Sequence, residues 1–239
     1  IEISDDAFNY QPVGPGSKPA ASQADVEKAA DLLVNAKYPV LNVGGGCLSA
    51  DAADEVMELA ELLSMPVASS LVAKGIFPED HPLSLGLGIY PRSRYATGPA
   101  VQINRKVDVV LAVGNSYRQP NGTDGRPFPP GVKLIHVNAD AADLNKTYMA
   151  DVPIMADAKL ALRDIINAVK DRVGPGRGGA KEEIVAEIQQ ARDKWLGEWQ
   201  SVFTDPSAPT NGYRVVHDLM QVVDNDRTIA IHDAGGSRR

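Results

Sequence analysis

Glycine and polar side chains occur together in three short stretches, and each stretch follows a run of aliphatic residues. The residues with suitable chemistry are Gly86, Gly88, Gly114, Asn115, Arg118, Asn138 and Asp140. Glycine allows the backbone to approach a ligand closely, and an arginine side chain can bind a diphosphate through two parallel hydrogen bonds. Asparagine and aspartate side chains can form hydrogen bonds with a ribose or an adenine. These stretches therefore predict a nucleotide-binding cleft.

A further glycine turn, Gly44–Gly46, has two interpretations. Its amide groups lie between a predicted strand and a predicted helix, where they could hold a phosphate. Ser49, however, stands in place of the third glycine of a dinucleotide fingerprint, and the next predicted strand runs into Ser69 and Ser70 without the acid that binds a ribose. Both departures favour a turn that only allows close packing. Cys47 has no basic neighbour, so we predict a buried apolar residue without a catalytic role.

Short β-branched runs alternate with helix-length amphipathic segments, which is the pattern of a parallel sheet covered by helices. Strands are predicted at 40–43, 66–68, 83–85, 107–113, 132–137 and 152–154. Helices are predicted from a Ser22 cap to Asn35, from a Ser49 cap to Leu63, and at 100–104, 157–169, 181–199 and 212–223, before a last strand at 228–232. This order predicts an α/β fold, with a doubly wound six-stranded parallel sheet and helices on both faces. The three polar stretches would then lie at the carboxyl ends of strands, where such sheets bind ligands.

Composition and charge argue against several classes of partner. The 239 residues carry a net charge of -7 without any block of basic residues, so the positive surface that nucleic-acid binding needs is missing. The single cysteine cannot form an internal disulfide, and no apolar stretch approaches the roughly 20 residues that cross a bilayer. We therefore predict a cytoplasmic protein without a nucleic-acid or membrane partner.

Four segments are too specific for a generic α/β sequence. They are Pro39–Gly46, Lys74–Pro82, Asp108–Gly114 and Lys133–Asp140. In this order they resemble the central domain of thiamine-diphosphate-dependent 2-keto-acid enzymes, the group of acetolactate synthase and benzoylformate decarboxylase. The segment Thr228–Ser237 resembles the opening strand and loop of the diphosphate-binding domain in the same enzymes. The resemblance implies that Gly235, Gly236 and Ser237 bind thiamine diphosphate.

The resemblance and the composition together predict the domain boundaries. Residues 1–22 are rich in proline, glycine, alanine and serine and are expected to be an interdomain linker. Residues 23–172 are predicted to form the Rossmann-like central domain, and residues 173–209 a linker followed by a long charged helix. Residues 210–239 are expected to begin the thiamine-diphosphate-binding domain, so the chain is expected to be a fragment of a longer protein.

The resemblance implies decarboxylation, carboligation or both, on a small 2-keto acid, with thiamine diphosphate and Mg²⁺ in a homodimer or homotetramer. Family members take their activating glutamate and their Mg²⁺-binding Gly-Asp-Gly motif from parts that this sequence lacks. We therefore expect no catalytic residue and no metal ligand in this chain, and no activity from it alone.

Two questions stay open at the level of the sequence. The central cleft holds FAD or ADP in some family members and is empty in others, and Asn138 replaces the aspartate that is common there in flavin-binding members. The alternative function is a non-catalytic nucleotide-binding or assembly module.

Overall fold

The computed structural model describes residues 16–88, 106–117, 131–173, 181–224 and 227–231. Six strands form one sheet: β1 Pro39–Val43, β2 Val67–Ser69, β3 Ser84–Leu87, β4 Val109–Val113, β5 Lys133–Asn138 and β6 Val152–Met155. Their order across the sheet is β3-β2-β1-β4-β5-β6, and every neighbouring pair is parallel. The predicted α/β fold with a doubly wound, six-stranded parallel sheet is confirmed.

The centre of the sheet is buried on both faces. Every residue of β1 and β4 is buried, because these strands are almost continuously aliphatic rather than alternating between apolar and polar residues. Leu41 and Leu111 lie opposite each other in this pair, and neither is exposed to solvent. At one edge, β6 alternates between buried and exposed residues, and its exposed Pro153 has no N–H group to offer to a further strand.

Six α-helices lie in the described ranges, besides a 3₁₀ helix at Leu71–Ala73: α1 Gln23–Asn35, α2 Gly45–Ser49, α3 Ala53–Leu63, α4 Ala158–Val173, α5 Glu182–Phe203 and α6 Gly212–Val222. Helix α4 packs against both α1 and α3. Ion pairs follow both contacts, between Arg172 and Glu27 of α1 and between Arg163 and Glu55 of α3. The three helices therefore form one connected layer.

The two predicted serine caps had different outcomes. The Ser22 side chain accepts an amide hydrogen bond in the first turn of α1, as predicted. Ser49 caps no helix; it ends the one-turn α2, and its hydroxyl donates to the Gly45 carbonyl at 3.3 Å. The Ser49 prediction was wrong because the chain becomes helical directly after β1. It leaves that helix at Asp51, which has a φ of 55°, and α3 begins only at Ala53.

Helix α5 packs across the amino ends of the strands. Ile188 on its inner face is completely buried. The Arg192 guanidinium donates to the carbonyl of Ser84 at the start of β3, at 3.1 Å. The hydroxyl of Tyr38, just before β1, donates to the Glu187 carboxylate at 3.3 Å. The first half of α5 is thus fixed to the amino ends of the strands. The predicted ligand site lies at the other end of the strands, at their carboxyl ends.

The segment after α5 is packed much less. Helix α6 has no buried residue and contacts α5 through an aromatic cluster. The cluster consists of Trp195, Trp199, Phe203, Tyr213 and His217. The strand predicted at 228–232 is wrong for the described residues 227–231, which form no strand. A strand needs a neighbour for its backbone hydrogen bonds, whereas Ile229 and Ile231 are 90% and 93% exposed.

The helix predicted at 100–104 lies outside the described residues. In the part of the chain that is described, no helix combines the length and the apolar character needed to cross a membrane.

Candidate functional site

The direction of the strand order changes between β1 and β4. From β1 the chain proceeds to β2 and β3 on one side, whereas from β4 it proceeds to β5 and β6 on the other. Sheets of this kind bind ligands at such a point, in a crevice outside the carboxyl ends of the strands. The turns that meet there are 44–46 and 114–117, and we call their surroundings the switch-point crevice.

These two turns are in direct backbone contact. A Cβ atom added to Gly44 would lie 2.2 Å from the Gly114 carbonyl oxygen, and one added to Gly46 would lie 2.7 Å from the Gly114 Cα atom. Gly114 has a φ of +66°, and a Cβ atom there would lie 2.7 Å from the Cys47 nitrogen. Only glycine fits at the three positions, which supports the interpretation that the first turn serves close packing.

Many backbone amides along this edge already donate hydrogen bonds within the chain. In the first turn, the Gly44 amide donates to Val113 at 2.8 Å, and the Gly46 amide donates to Gly114 at 3.0 Å. The Cys47 amide donates back to the Gly44 carbonyl at 3.0 Å. Further along the edge, the same holds for the amides of Ser70, Gly88 and Gly114. These amides hold the turns in place and point at other parts of the backbone.

Cys47 is a structural residue, as predicted from the sequence. Its side chain is completely buried, and its thiol donates to the Val113 carbonyl at 3.3 Å. Burial raises the pKa of the Cys47 thiol to about 12. Since the thiolate is the nucleophilic form, this cysteine is inert near neutral pH.

Five polar side chains connect β1, β4 and β5 beneath the crevice. They are Asn42, Asn115, Tyr117, His136 and Asn138, and we call them the crevice brace. The Asn115 side-chain amide donates to the Asn42 carbonyl at 2.8 Å, and the Asn42 side-chain amide donates to the Tyr117 hydroxyl at 3.0 Å. The main-chain carbonyl of Asn115 accepts hydrogen bonds from His136 Nε2 at 2.8 Å and from Asn138 Nδ2 at 2.9 Å.

His136 is the titratable member of the brace. It is 1% exposed, and its ring meets that of Tyr117 edge-on with centroids 5.2 Å apart. Because Nε2 donates to a carbonyl, the neutral ring carries its proton there, and the buried Nδ1 has no hydrogen-bond partner. Burial lowers the pKa of His136, against the opposing effects of the Asn115 hydrogen bond and the Asp143 carboxylate. The ring is therefore neutral at pH 7 and serves as a strut.

The structure brings together part of the predicted nucleotide site. Asn115 and Asn138 lie on neighbouring strand ends and contact each other directly. Gly86 lies in β3, and Gly88 follows directly after it. Strands β2 and β1 lie between β3 and β4, so these glycines are about 14 Å from β4 at the usual spacing of strands. Asp140 lies exposed just after β5. Four predicted binding residues lie outside the described residues, namely Arg118, Gly235, Gly236 and Ser237.

Three members of the brace, Asn42, Tyr117 and His136, are not among the site residues predicted from the sequence. Asn42 is the only polar residue in β1, and a polar side chain within a buried apolar run signals an internal hydrogen bond. Tyr117 has a φ of +43°, which is uncommon for a bulky residue, and nothing in the sequence indicates it.

The family model described as thiamine pyrophosphate enzyme, central domain, matches residues 26–165, which is more than half of the chain. The chain belongs to this thiamine pyrophosphate enzyme family. The resemblance inferred from the four sequence segments is thereby confirmed. Thiamine pyrophosphate and thiamine diphosphate are the same cofactor.

Curated relatives agree with this assignment. A probable acetolactate synthase large subunit of Methanocaldococcus jannaschii is 38% identical over 220 residues, covering 87% of this chain and 34% of the relative. The glyoxylate carboligase of Escherichia coli O157:H7 is 32% identical over 192 residues, covering 80% of this chain and 32% of the relative. This member of the family thus spans about a third of the length of the curated relatives that it matches.

Solved structures have the same fold. A putative thiamin diphosphate-dependent enzyme from Mycobacterium smegmatis superimposes with a TM-score of 0.56 at 25% identity, over 71% of this chain and 32% of that one. Benzoylformate decarboxylase from Polynucleobacter necessarius gives a TM-score of 0.51 at 24% identity, over 71% of this chain and 30% of that one.

Within the described ranges of this family member, no three His, Cys, Asp or Glu side chains are grouped as a metal ion would require.

Proposed function

We propose that this chain is part of a thiamine-diphosphate- and Mg²⁺-dependent enzyme that decarboxylates a small 2-keto acid and joins the product to a second carbonyl compound. The observation that carries the proposal is the 38% identity with an acetolactate synthase large subunit, because it extends over 87% of this chain. Such a match must continue past residue 165, where the family model ends, into α5. The glyoxylate carboligase relative supports the same type of reaction by its name.

The contribution of this chain is structural in the proposed enzyme. Thiamine diphosphate, when bound, supplies the electron sink for decarboxylation. Neither Cys47, with its raised pKa, nor His136, buried and bonded to Asn115, is available for proton transfer at neutral pH. The described residues instead form a sheet whose strands are held at their carboxyl ends by the glycine turns and at their amino ends by α5. We infer that this sheet fixes the positions of the segments that precede and follow it.

The test uses the whole protein with its natural flanking sequence. Thiamine diphosphate and Mg²⁺ are added, and CO₂ release and product formation are measured with pyruvate, glyoxylate and other small 2-keto acids. We expect CO₂ release that requires both cofactors and stops when EDTA removes the metal. Binding of thiamine diphosphate without turnover of any of these acids would contradict the proposed reaction, and no binding at all would contradict the cofactor.

We further propose that residues 210–239 begin the thiamine-diphosphate-binding domain. Helix α6 supports this proposal, because it is amphipathic, yet none of its residues is buried. Its large apolar side chains are exposed, and so are those of the segment that follows it. They are Val215, Val216, Leu219, Met220, Val222, Ile229 and Ile231. Apolar side chains in such number normally pack against a further layer of structure.

Gly235, Gly236 and Ser237 are the proposed diphosphate contacts in that domain. Substitution of Gly236 by valine in the whole protein should weaken thiamine diphosphate binding by tenfold or more, on the order of 1.4 kcal/mol. The matched control is Gly197→Ala, at an α5 glycine with nothing within 4 Å of an added Cβ atom. Equal affinities in the two variants would contradict the assignment of these contacts.

The alternative of a nucleotide-binding module has less support. Its strongest feature was the set of glycine and asparagine residues at the carboxyl edge, and most of the described ones are engaged in hydrogen bonds or backbone contacts within the chain.

A further inference from the structure

We propose that the switch-point crevice of this protein does not bind a dinucleotide or ADP, because the crevice brace and the glycine turns already use most of the groups that would recognise one among the described residues. The inference concerns FAD, ADP and NAD alike. It stands independently of the proposed function, since a thiamine-diphosphate enzyme can work with this crevice occupied or empty.

The first step concerns the phosphates. A dinucleotide fold binds pyrophosphate with the free amides of the turn after its first strand, and glycine there leaves room for the close approach. In this chain the amides of Gly44, Gly46 and Cys47 all donate to backbone carbonyls. The room left by the absent Cβ atoms of Gly44 and Gly46 is filled by the backbone of Gly114. Three of the four amides of residues 44–47 are therefore engaged, and the space for a close approach is filled at Gly44 and Gly46.

The second step concerns the ribose. The acid that usually binds its hydroxyls at the end of the second strand is absent, because β2 ends at Ser69, whose hydroxyl donates to the Gly86 carbonyl at 3.4 Å. Asn138 is the other candidate, and both ends of its side chain are engaged. Its Nδ2 donates to the Asn115 carbonyl at 2.9 Å, and its Oδ1 accepts the Asp140 amide at 2.9 Å.

The third step compares the hydrogen bonds made and broken. A ribose that turned the Asn138 side chain away from its partners would break both of these bonds, and the main-chain carbonyl of Asn115, on a residue that is 7% exposed, would lose one of its two donors. The Asn115 carbonyl would then keep only its bond from His136, and the ribose would have to replace two existing hydrogen bonds, so binding that turns Asn138 away brings no net gain in hydrogen bonds. The replacement of the usual aspartate by Asn138 is thus tied to the brace, because an amide, unlike a carboxylate, can donate to the Asn115 carbonyl and accept from Asp140 at once.

The first experiment measures nucleotide binding by the whole protein. FAD, ADP and NAD are titrated to concentrations on the order of 1 mM by calorimetry, and hydrogen–deuterium exchange is followed at residues 44–47 and 114–117. We expect no saturable binding. Saturable binding that leaves hydrogen exchange in both turns unchanged would also agree with the proposal, because the ligand would then be bound at another site. Saturable binding that slows exchange in these turns by about tenfold or more would overturn the proposal.

A second experiment tests the brace itself. Asn138→Asp retains an acceptor for the Asp140 amide, but it loses the donor and directs a carboxylate toward the Asn115 carbonyl. We expect amide exchange at Gly114 to become faster by about tenfold to a hundredfold. The control is Asp140→Asn, an exposed neighbour whose Oδ1 still accepts the Ala142 amide, and it should leave exchange at Gly114 unchanged. Unchanged exchange in Asn138→Asp would mean that the side chain is free for a ligand, and the proposal would fail.

Discussion

Substitution of Gly44 by alanine tests directly whether the two glycine turns are pressed together. Gly44 has an extended backbone, with φ of -114° and ψ of 178°, which alanine adopts without strain. The only obstacle is therefore steric, since the new Cβ atom would lie 2.2 Å from the Gly114 carbonyl oxygen. Relief requires a shift of about 1 Å between two turns that are bonded to β1 and β4.

Overpacking in a close-packed interior costs about 1–3 kcal/mol. We expect a cost near the upper value, because the new Cβ atom meets a backbone atom of Gly114, which cannot rotate away as a side chain could. We therefore expect Gly44→Ala to lower the free energy of opening of the sheet by about 3 kcal/mol. Native-state hydrogen exchange at Leu41 and Leu111, which pair at the centre of the sheet, measures that free energy for this part of a larger protein. Exchange at both amides should become about a hundredfold faster.

Gly197→Ala serves as the matched control, because its added Cβ atom meets nothing within 4 Å on the exposed side of α5. Alanine is the better helix former by about 1 kcal/mol, so this control should be neutral or slightly stabilising for α5. The reasoning would be refuted if Gly44→Ala left exchange at Leu41 and Leu111 as slow as in Gly197→Ala.

Three further predictions follow from the burial of single residues. The pKa of His136 is lowered in the folded chain, so the unfolded chain binds a proton more readily, and the stability of the fold should fall as the pH drops below about 6.5. The measurement compares the free energy of opening at pH 7.5 and at pH 5.5, and His136→Gln should remove the difference that the histidine causes. The Cys47 thiol should react with a thiol reagent at pH 8 only after denaturation, because its pKa is raised to about 12. Ile188→Ala should release α5 from the sheet at a cost of about 2–4 kcal/mol, seen as faster exchange along α5, whereas Leu196→Ala on the exposed side should change it little.

The sheet was predictable because its signal is local. Strands β1, β4 and β5 were placed within two residues, since each is a run of aliphatic residues with the burial of a central parallel strand. The cap at Ser22 was equally local. The error at Ser49 had a distant cause, because the helical turn after β1 is set by contacts with Gly114, about 70 residues away in the sequence.

The candidate site was less predictable, because residue type alone does not reveal which partners a polar group has. Asn115 and Asn138 were correctly placed at strand ends, but their hydrogen bonds run to each other and to β1. Asn42 could have been recognised as the one polar residue of a buried strand. The left-handed backbone of Tyr117 could not, because it depends on how the segment after β4 packs.

The exposed large apolar side chains are spread unevenly between the sheet with its packed helices and the segment that begins near the end of α5. At the carboxyl edge of the sheet, glycine backbones and the crevice brace satisfy one another, and at the amino edge α5 covers the strands. By contrast, most of the large apolar side chains left exposed in the described residues lie from Leu196 onward. Because burying such side chains stabilises a protein far more than adding polar contacts at a satisfied edge, assembly with further structure is favoured at α6 and the residues after it. The sheet therefore has its strand ends covered within the chain, whereas α6 leaves its apolar side chains exposed.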